Sequence, residues 1–488
     1  MTTMWKGDHS RRIVSRIVVE GDLVLQTPAH FGNGDGDDIV DMPLMLDPLD
    51  EAEGRITPLL TGASLAGALR SYLREVECGY GSAGNKAPLS IALFGGSQAD
   101  DGEQSPLIVD DSRGTNGAIE FRDGVAINTQ SRTAHDGKKY DLQLWAAGTC
   151  FPLRFELAIR EYDDAEKLRQ ALVTALGGLS KNDGITLGMR KRRGYGAVTV
   201  ADWRVREWNL KEPVELLDWL ENGAVSITAQ DSLENALGAA LPTDARDSFT
   251  IEATFALDGS LLIRSEGRSA DNGPDAVHLK ARKADGVNVA SVLSGTSLAG
   301  VLRARACKIL KTLGDKDAKA HIDAIFGADM TDRPAQPWAS RLNVTEQVIS
   351  KVREDFVQNR VSIDRFTGGA LDTALFNEQP VFGDKDSRLT MTLHLRQPED
   401  AEIGLLLLLL KDLWTGDLTV GSESSVGRGR LQGISATLKR SGKTLGTINA
   451  TGERLQQLQW SDRLAEQAES YLTALRMKLS KTDQEVAV

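Results

Sequence analysis

The sequence predicts an α+β protein made of two tandem copies of one module, each with the element order β-α-β-β-α-β and an inserted hairpin. Three observations predict it. Leu59-Leu60-Thr61-Gly62-Ala63-Ser64-Leu65-Ala66-Gly67-Ala68-Leu69-Arg70 returns 233 residues later as Val292-Leu293-Ser294-Gly295-Thr296-Ser297-Leu298-Ala299-Gly300-Val301-Leu302-Arg303. At nearly the same spacing, Ala92-Leu93-Phe94-Gly95 returns as Ala324-Ile325-Phe326-Gly327. Ile185-Thr186-Leu187-Gly188 followed by Gly194-Tyr195-Gly196 matches Leu418-Thr419-Val420-Gly421 followed by Gly427-Arg428-Gly429. Three ordered matches at nearly one spacing mark a duplication, with each copy a supersecondary unit that carries its own core.

The elements follow in order. Ile13 to Leu25 alternates like a half-buried strand, and Ile251 to Ile263 does the same. Gly-x-Ser-Leu-Ala-Gly then opens a helix in each copy, with Ser64 or Ser297 read as its cap and the second glycine as a point of close backbone approach. Near the end of each copy a helix (Ala165 to Leu176; Gly404 to Leu413) leads to a strand and a glycine-rich turn. The longest apolar run, Ile403 to Leu410, is far short of the roughly 20 residues that span a bilayer and reads as a buried helix. This order is compatible with a ferredoxin-like (RRM-like) βαββαβ core carrying a large insertion. The expected divisions are residues 1–215 for the first copy, 216–245 for a linker, 246–452 for the second copy, and 453–488 for an amphipathic helix with a polar tail.

Bulk properties narrow the function. A chain of 488 residues exceeds what one core organises, and 41% hydrophobic residues supply apolar material for two. The net charge of -12 argues against a free-standing, nonspecific nucleic-acid binder, because phosphate neutralisation needs local cation excess. It leaves room for a subunit with one basic groove. Basic clusters occur at Arg190-Lys191-Arg192-Arg193, at Lys280-Ala281-Arg282-Lys283, at Arg303-Ala304-Arg305 and at Arg428-Gly429-Arg430; any one alone reads equally as a solvated surface. Cys78, Cys150 and Cys307 have no metal-like or CxxC spacing, and Met1 to Arg16 has no apolar signal region; the expectation is a reduced, cytoplasmic protein without membrane contact. The glycine turns lack dinucleotide spacing, and no Gly-Lys-Ser/Thr phosphate loop occurs. Asp35, Asp37 and Asp38 lack calcium-loop spacing, and the six histidines lack zinc spacing.

At these motifs the sequence resembles the repeat-associated mysterious protein (RAMP) superfamily, specifically the backbone subunits of type III CRISPR effector complexes. Gly62 to Arg70 and its twin resemble the family's Pro-Gly-Ser-Ser-Leu-Lys-Gly-x-Leu-Arg signature, without the leading proline and the lysine. Ile39-Val40-Asp41-Met42-Pro43-Leu44-Met45-Leu46-Asp47 is similar to the family's Ile-Asp-x-Pro-Val-x-x-Asp loop. Ser362 to Ala370 resembles the segment before the family's thumb hairpin, with Ala126 to Gln130 its weaker counterpart. The paired glycine loops resemble the superfamily's C-terminal loop.

That resemblance implies a palm that holds guide CRISPR RNA, a thumb that interrupts the duplex of guide and target, and an aspartate beside the kinked target RNA. Glycine turns let a backbone approach phosphates, and flanking arginines add charge without reading bases. The expected RNA contacts are therefore Ser64, Arg70, Arg190, Arg192, Arg193, Gly194, Tyr195 and Gly196 in copy one, with Ser297, Arg303, Arg365, Arg428, Gly429 and Arg430 in copy two. Asp41 is the expected catalyst, taking the proton of an attacking ribose hydroxyl or helping to hold a divalent metal such as magnesium; no resident metal ligands are assigned. Asp47 reads as structural. In copy two, His278 falls where alignment puts the counterpart of Asp41, with Asp275 and Asp285 out of register, so copy two is expected to scaffold RNA without cutting. The alternatives are a subunit that only scaffolds guide RNA, or a guide-processing endoribonuclease of the same superfamily. Partners on the first reading are guide RNA, target RNA and other RAMP-type subunits.

Overall fold

The computed structural model describes residues 12–34, 41–81, 87–96, 104–128, 133–181, 183–227, 232–266, 273–329, 337–451 and 457–485. The first module runs β1 (Ile13–Leu25), α1 (Gly62–Cys78), β2 (Leu107–Val109), β3 (Cys150–Arg160), α2 (Ala165–Gly177) and β4 (Val198–Val200). Its sheet order is β2-β3-β1-β4 with every pair antiparallel. Helical crossovers after β1 and after β3 place those two strands at the centre, the order a βαββαβ chain adopts. The second module repeats it with β5 (Ser248–Asp258), α3 (Gly295–Thr312), β6 (Leu342–Val344), β7 (Arg388–Arg396), α4 (Asp400–Trp414) and β8 (Arg430–Arg440). There the order is β6-β7-β5-β8, again antiparallel.

Alternation in the strands and 3–4 spacing in the helices build each core. Ile17, Val19, Leu23 and Leu25 of β1 pack with Leu65, Leu69, Tyr72, Leu73 and Val76 of α1. Phe249, Ile251, Ala253 and Phe255 of β5 pack with Leu298, Leu302, Ala306 and Leu310 of α3. Truncating one such leucine to alanine costs about 2–5 kcal/mol. The apolar run in α4 is buried as expected, and the C-terminal helix α5 (Asp462–Glu485) packs on it. Gly404 permits that approach, since a Cβ there would lie 2.5 Å from the Tyr471 carbonyl oxygen. Between the modules, Leu233 and Leu237 of a short helix join the first core.

The helix starts depart from the expected capping. Thr61 and Ser294 are the N-caps, accepting from the amides of Ser64 and Ser297, which stand in the first turn rather than capping. The first glycine of each motif, not the second, makes the close approach: a Cβ on Gly62 would lie 2.2 Å from Val109 O, and one on Gly295 2.4 Å from Val344 O. Gly67 and Gly300 have open space instead.

Two long hairpins leave the palms, one pairing Ile119–Ile127 with Ala134–Trp145 and the other pairing Gln358–Ile363 with Ala370–Gln379. The modules dock directly. Arg122 of the first hairpin makes a two-pronged ion pair with Glu346 at 3.1 and 3.2 Å, and both side chains are buried. Arg396 of β7 pairs with Glu75 of α1 at 2.9 Å. Arg246 lies over the rings of Tyr72 and Tyr80 at 4.9 and 5.9 Å.

Candidate nucleic-acid interface

A cleft of about 990 Å³ runs along the first module to its junction with the second. Its walls bring together Asp41, Ser64, Gly67, Lys191, Arg192 and, from the second module, Arg396. The open face of α1 supplies Ser64 and Gly67, whose small size lets a polymer backbone come close. Lys191 and Arg192 sit on a single 3-10 turn (Lys191–Arg193) flanked by left-handed Arg190 and Gly194. Neither makes an ion pair among the described residues. Desolvation lowers the pKa of both, Arg192 to about 10, with repulsion from Arg396 acting on each and from Arg192 on Lys191. Three cations against the single carboxylate of Glu75 make this end of the cleft a receptor for anions.

Asp41 lines the same cleft and is exposed, and its Oδ2 accepts from the amide of Asp141 at 2.9 Å. Asp141 lies on the returning strand of the first hairpin, so the carboxylate and the hairpin are positioned together. His30 also lines the cleft; its buried ring donates from Nδ1 to the Gln143 carbonyl at 2.9 Å, and burial lowers its pKa. Asp47 caps the short helix Pro48–Ala52 and pairs with Arg113, the structural part expected of it. The expected metal meets a sparse donor set, because no group of three His, Cys, Asp or Glu side chains converges among the described residues. That set suits an ion which keeps its waters and shares substrate phosphates with one carboxylate.

Several expected RNA contacts prove to be internal. Arg70 donates to Gly95 O at 3.0 Å and Arg303 to Gly327 O at 2.9 Å, the latter also pairing with Asp323. Each thus clips its helix to the Phe-Gly end of the next, which is why arginine and glycine recur together in the repeat. Arg193 donates to Phe326 O at 3.0 Å across the junction, and a Cβ on Gly194 would lie 2.3 Å from Glu346 N. Tyr195 is buried with Leu142 and Leu144. Gly196 and Gly429 have positive φ, and a Cβ on either would lie 1.8 Å from the carbonyl oxygen of Leu187 or Val420. Arg428 is 3% exposed and paired with Glu378 and Glu423 at 3.1 and 2.8 Å. These residues build the turns and the junction: burial turns Gly194, Tyr195, Gly196, Arg428 and Gly429 away from the expected RNA contact, while Arg70, Arg193 and Arg303 are half-buried and spend a guanidinium donor on an internal carbonyl.

The remaining expected contacts are accessible. Arg190 lies over the Tyr140 ring at 4.5 Å and bonds its hydroxyl, Ser297 is half-buried, and Arg430 is exposed at the start of β8. Arg365 stands at the tip of the second hairpin beside Phe366, which is 98% exposed. Lys191 belongs to a basic cluster visible in the sequence without being among the expected contacts, whereas His30 and Arg396 were missed because a lone histidine or a single arginine on a core strand carries no sequence signal.

Register also corrects the comparison of the two copies. Leu44 bridges Gly32 and His278 bridges Arg264 in the same antiparallel way, so His278 stands where Leu44 does. His278 is buried, held between the carbonyls of Leu261 and Val292, and desolvation lowers its pKa to about 4. Met42 and Ala276 make the matching parallel bridges, to Leu142 and Glu378. The residue before each is an aspartate, Asp41 and Asp275.

A family model described as the RAMP superfamily matches residues 22–199 and 261–432, one region in each module. The chain belongs to the RAMP superfamily. Two fused RAMP modules account for the internal repeat and for the two like-ordered sheets. At the level of the superfamily, membership supports a CRISPR-associated RNA-binding subunit, with RNA and other complex subunits as its partners. No curated protein matches the chain. Among the described residues, no helix is long and apolar enough to cross a membrane.

Proposed function

We propose that this RAMP protein is a backbone subunit of a type III CRISPR effector complex that holds guide RNA and cleaves complementary target RNA at Asp41. The observation that carries the proposal is the cleft, whose lining holds an exposed carboxylate together with three cations that outnumber the one carboxylate beside them. Lys191, Arg192 and Arg396 attract the phosphates of an RNA strand without reading its bases, leaving sequence choice to pairing between guide and target. The first hairpin, whose returning strand anchors Asp41, is the element suited to splay a target nucleotide beside that carboxylate.

In the cleavage step, a ribose 2′-oxygen bonds to the neighbouring phosphorus as the bond from phosphorus to the 5′-oxygen breaks. Asp41 takes the hydroxyl proton, water returns one to the leaving oxygen, and the products end in a 2′,3′-cyclic phosphate and a 5′-hydroxyl. Asp41 is also the residue that would hold a magnesium ion, which would neutralise charge developing on the phosphate. The test is Asp41→Asn in the assembled complex with end-labelled target RNA. The expected result is one cut slowed about 100- to 10,000-fold with guide and target binding retained. An unchanged product pattern would leave a guide-RNA scaffold that does not cleave.

A further inference from the structure

We infer that Asp275 is a second cleaving carboxylate, so that each RAMP module carries one. The inference rests on the reading of Asp41 as the group that takes the hydroxyl proton. Asp275 Oδ2 accepts from the Asn377 amide at 2.8 Å, as Asp41 Oδ2 accepts from the Asp141 amide at 2.9 Å. Asn377 and Asp141 occupy the same place, one residue before the parallel bridge on the returning strand of their hairpins. Asp275 is held more firmly than Asp41, because its own amide also donates to Asn377 Oδ1 at 2.8 Å. Both aspartates are exposed, and both precede a Gly-x-Ser-Leu-Ala-Gly helix.

The surroundings differ in a way that suits an anionic strand. Beside the Ala276 bridge, Arg264, Arg360 and Arg428 surround Glu378 and Glu423, three guanidiniums against two carboxylates. Arg264 remains about half exposed despite its ion pairs. In the first module Leu142 and Tyr195 stand where Glu378 and Arg428 do, and Arg190 stands where Glu423 does. The network therefore carries one surplus positive charge beside the bridge that follows Asp275, with Arg264 its exposed member. The reaction is the one written for Asp41, with the same bonds formed and broken and the proton passing to Asp275.

The experiment compares the complex carrying wild-type chain, Asp41→Asn, Asp275→Asn and the double variant on target RNA labelled at either end. Each single variant is expected to slow a different cut by at least about 100-fold, and the double variant both, with guide RNA content unchanged. If Asp41→Asn loses its cut while Asp275→Asn keeps every cut at the wild-type rate, the second site is overturned. If neither single variant loses a cut, the reading of Asp41 fails first and takes this inference with it. Should Asp275→Asn lose guide RNA as well, Asp275→Glu decides, since it keeps the charge but displaces the base by a methylene. A complex that retains guide RNA yet slows the second cut supports the assignment, and one that cuts at full rate there overturns it.

Discussion

Replacing Glu346 with glutamine tests whether the two modules are locked by charge. Arg122 and Glu346 are each 4% exposed at the side chain and meet through two hydrogen bonds of 3.1 and 3.2 Å, one partner from each module. Burial raises the pKa of Glu346 and the adjacent guanidinium opposes that rise. Glutamine keeps the shape but leaves a buried cation facing a neutral amide, and removal of one partner from a buried pair costs about 3–5 kcal/mol. Glu120, also paired with Arg122 at 3.2 Å, offsets part of the loss and places the expectation near the lower bound. Replacing both residues, as Arg122→Met with Glu346→Leu, removes the stranded charge and should recover most of the stability. Urea unfolding of the wild type, Arg122→Met, Glu346→Leu and the double variant supplies the cycle, with Glu346→Gln measured beside them. A loss below about 1 kcal/mol for Glu346→Gln, or a double variant no better than the single, would refute the reasoning, because either result means that the pair is not effectively desolvated.

Three further outcomes follow from the same geometry. Lys191→Gln with Arg192→Gln should weaken RNA binding and reduce the slope of log affinity against log salt by about 1 to 2, leaving the free protein no less stable because a repulsion is relieved; salt-titrated binding and melting check both halves. Arg428→Ala should cost about 1–3 kcal/mol, because it removes the buried member of the network while Arg264 and Arg360 still pair with Glu378 and Glu423, whereas Arg430→Ala at the exposed strand start should shift unfolding by less than about 0.5 kcal/mol. His278 resists protonation down to about 4 in the folded chain but takes a proton near 6.5 when unfolded, so its contribution is complete above pH 6.5 and falls by about 3 kcal/mol as pH drops from 6.5 to 4. Unfolding midpoints of His278→Leu, which installs the first module's residue, should show a flatter pH slope over that window.

Most elements and the duplication were legible because they rest on local periodicity and on recurring residue types, although the second copy's first strand, expected over Ile251 to Ile263, runs Ser248–Asp258. Ile13 to Leu25 alternates, and the structure makes it one strand of those bounds. The cleft was legible only in part. Asp41, Ser64 and Arg192 carry motif signals and line it, whereas His30 and Arg396 arrive from distant segments that chain order does not bring together. The arginines expected to contact RNA show the same limit. Arg428 and Arg430 are two residues apart, yet one is buried among carboxylates and the other is exposed, and no pattern of neighbours separates them.

What the sequence determined by itself was the module, its repetition and its family, since each depends on which residues follow one another along the chain. Only the tertiary structure decided which carboxylates correspond. The two copies differ in loop length, so the spacing between equivalent residues drifts along the chain, and alignment by residue type set His278 against Asp41. Hydrogen bonds across strands admit no such drift, because a slip of one residue would turn every side chain to the opposite face. The bridges at Met42 and Ala276 therefore place Asp275 opposite its partner and send His278 into the core.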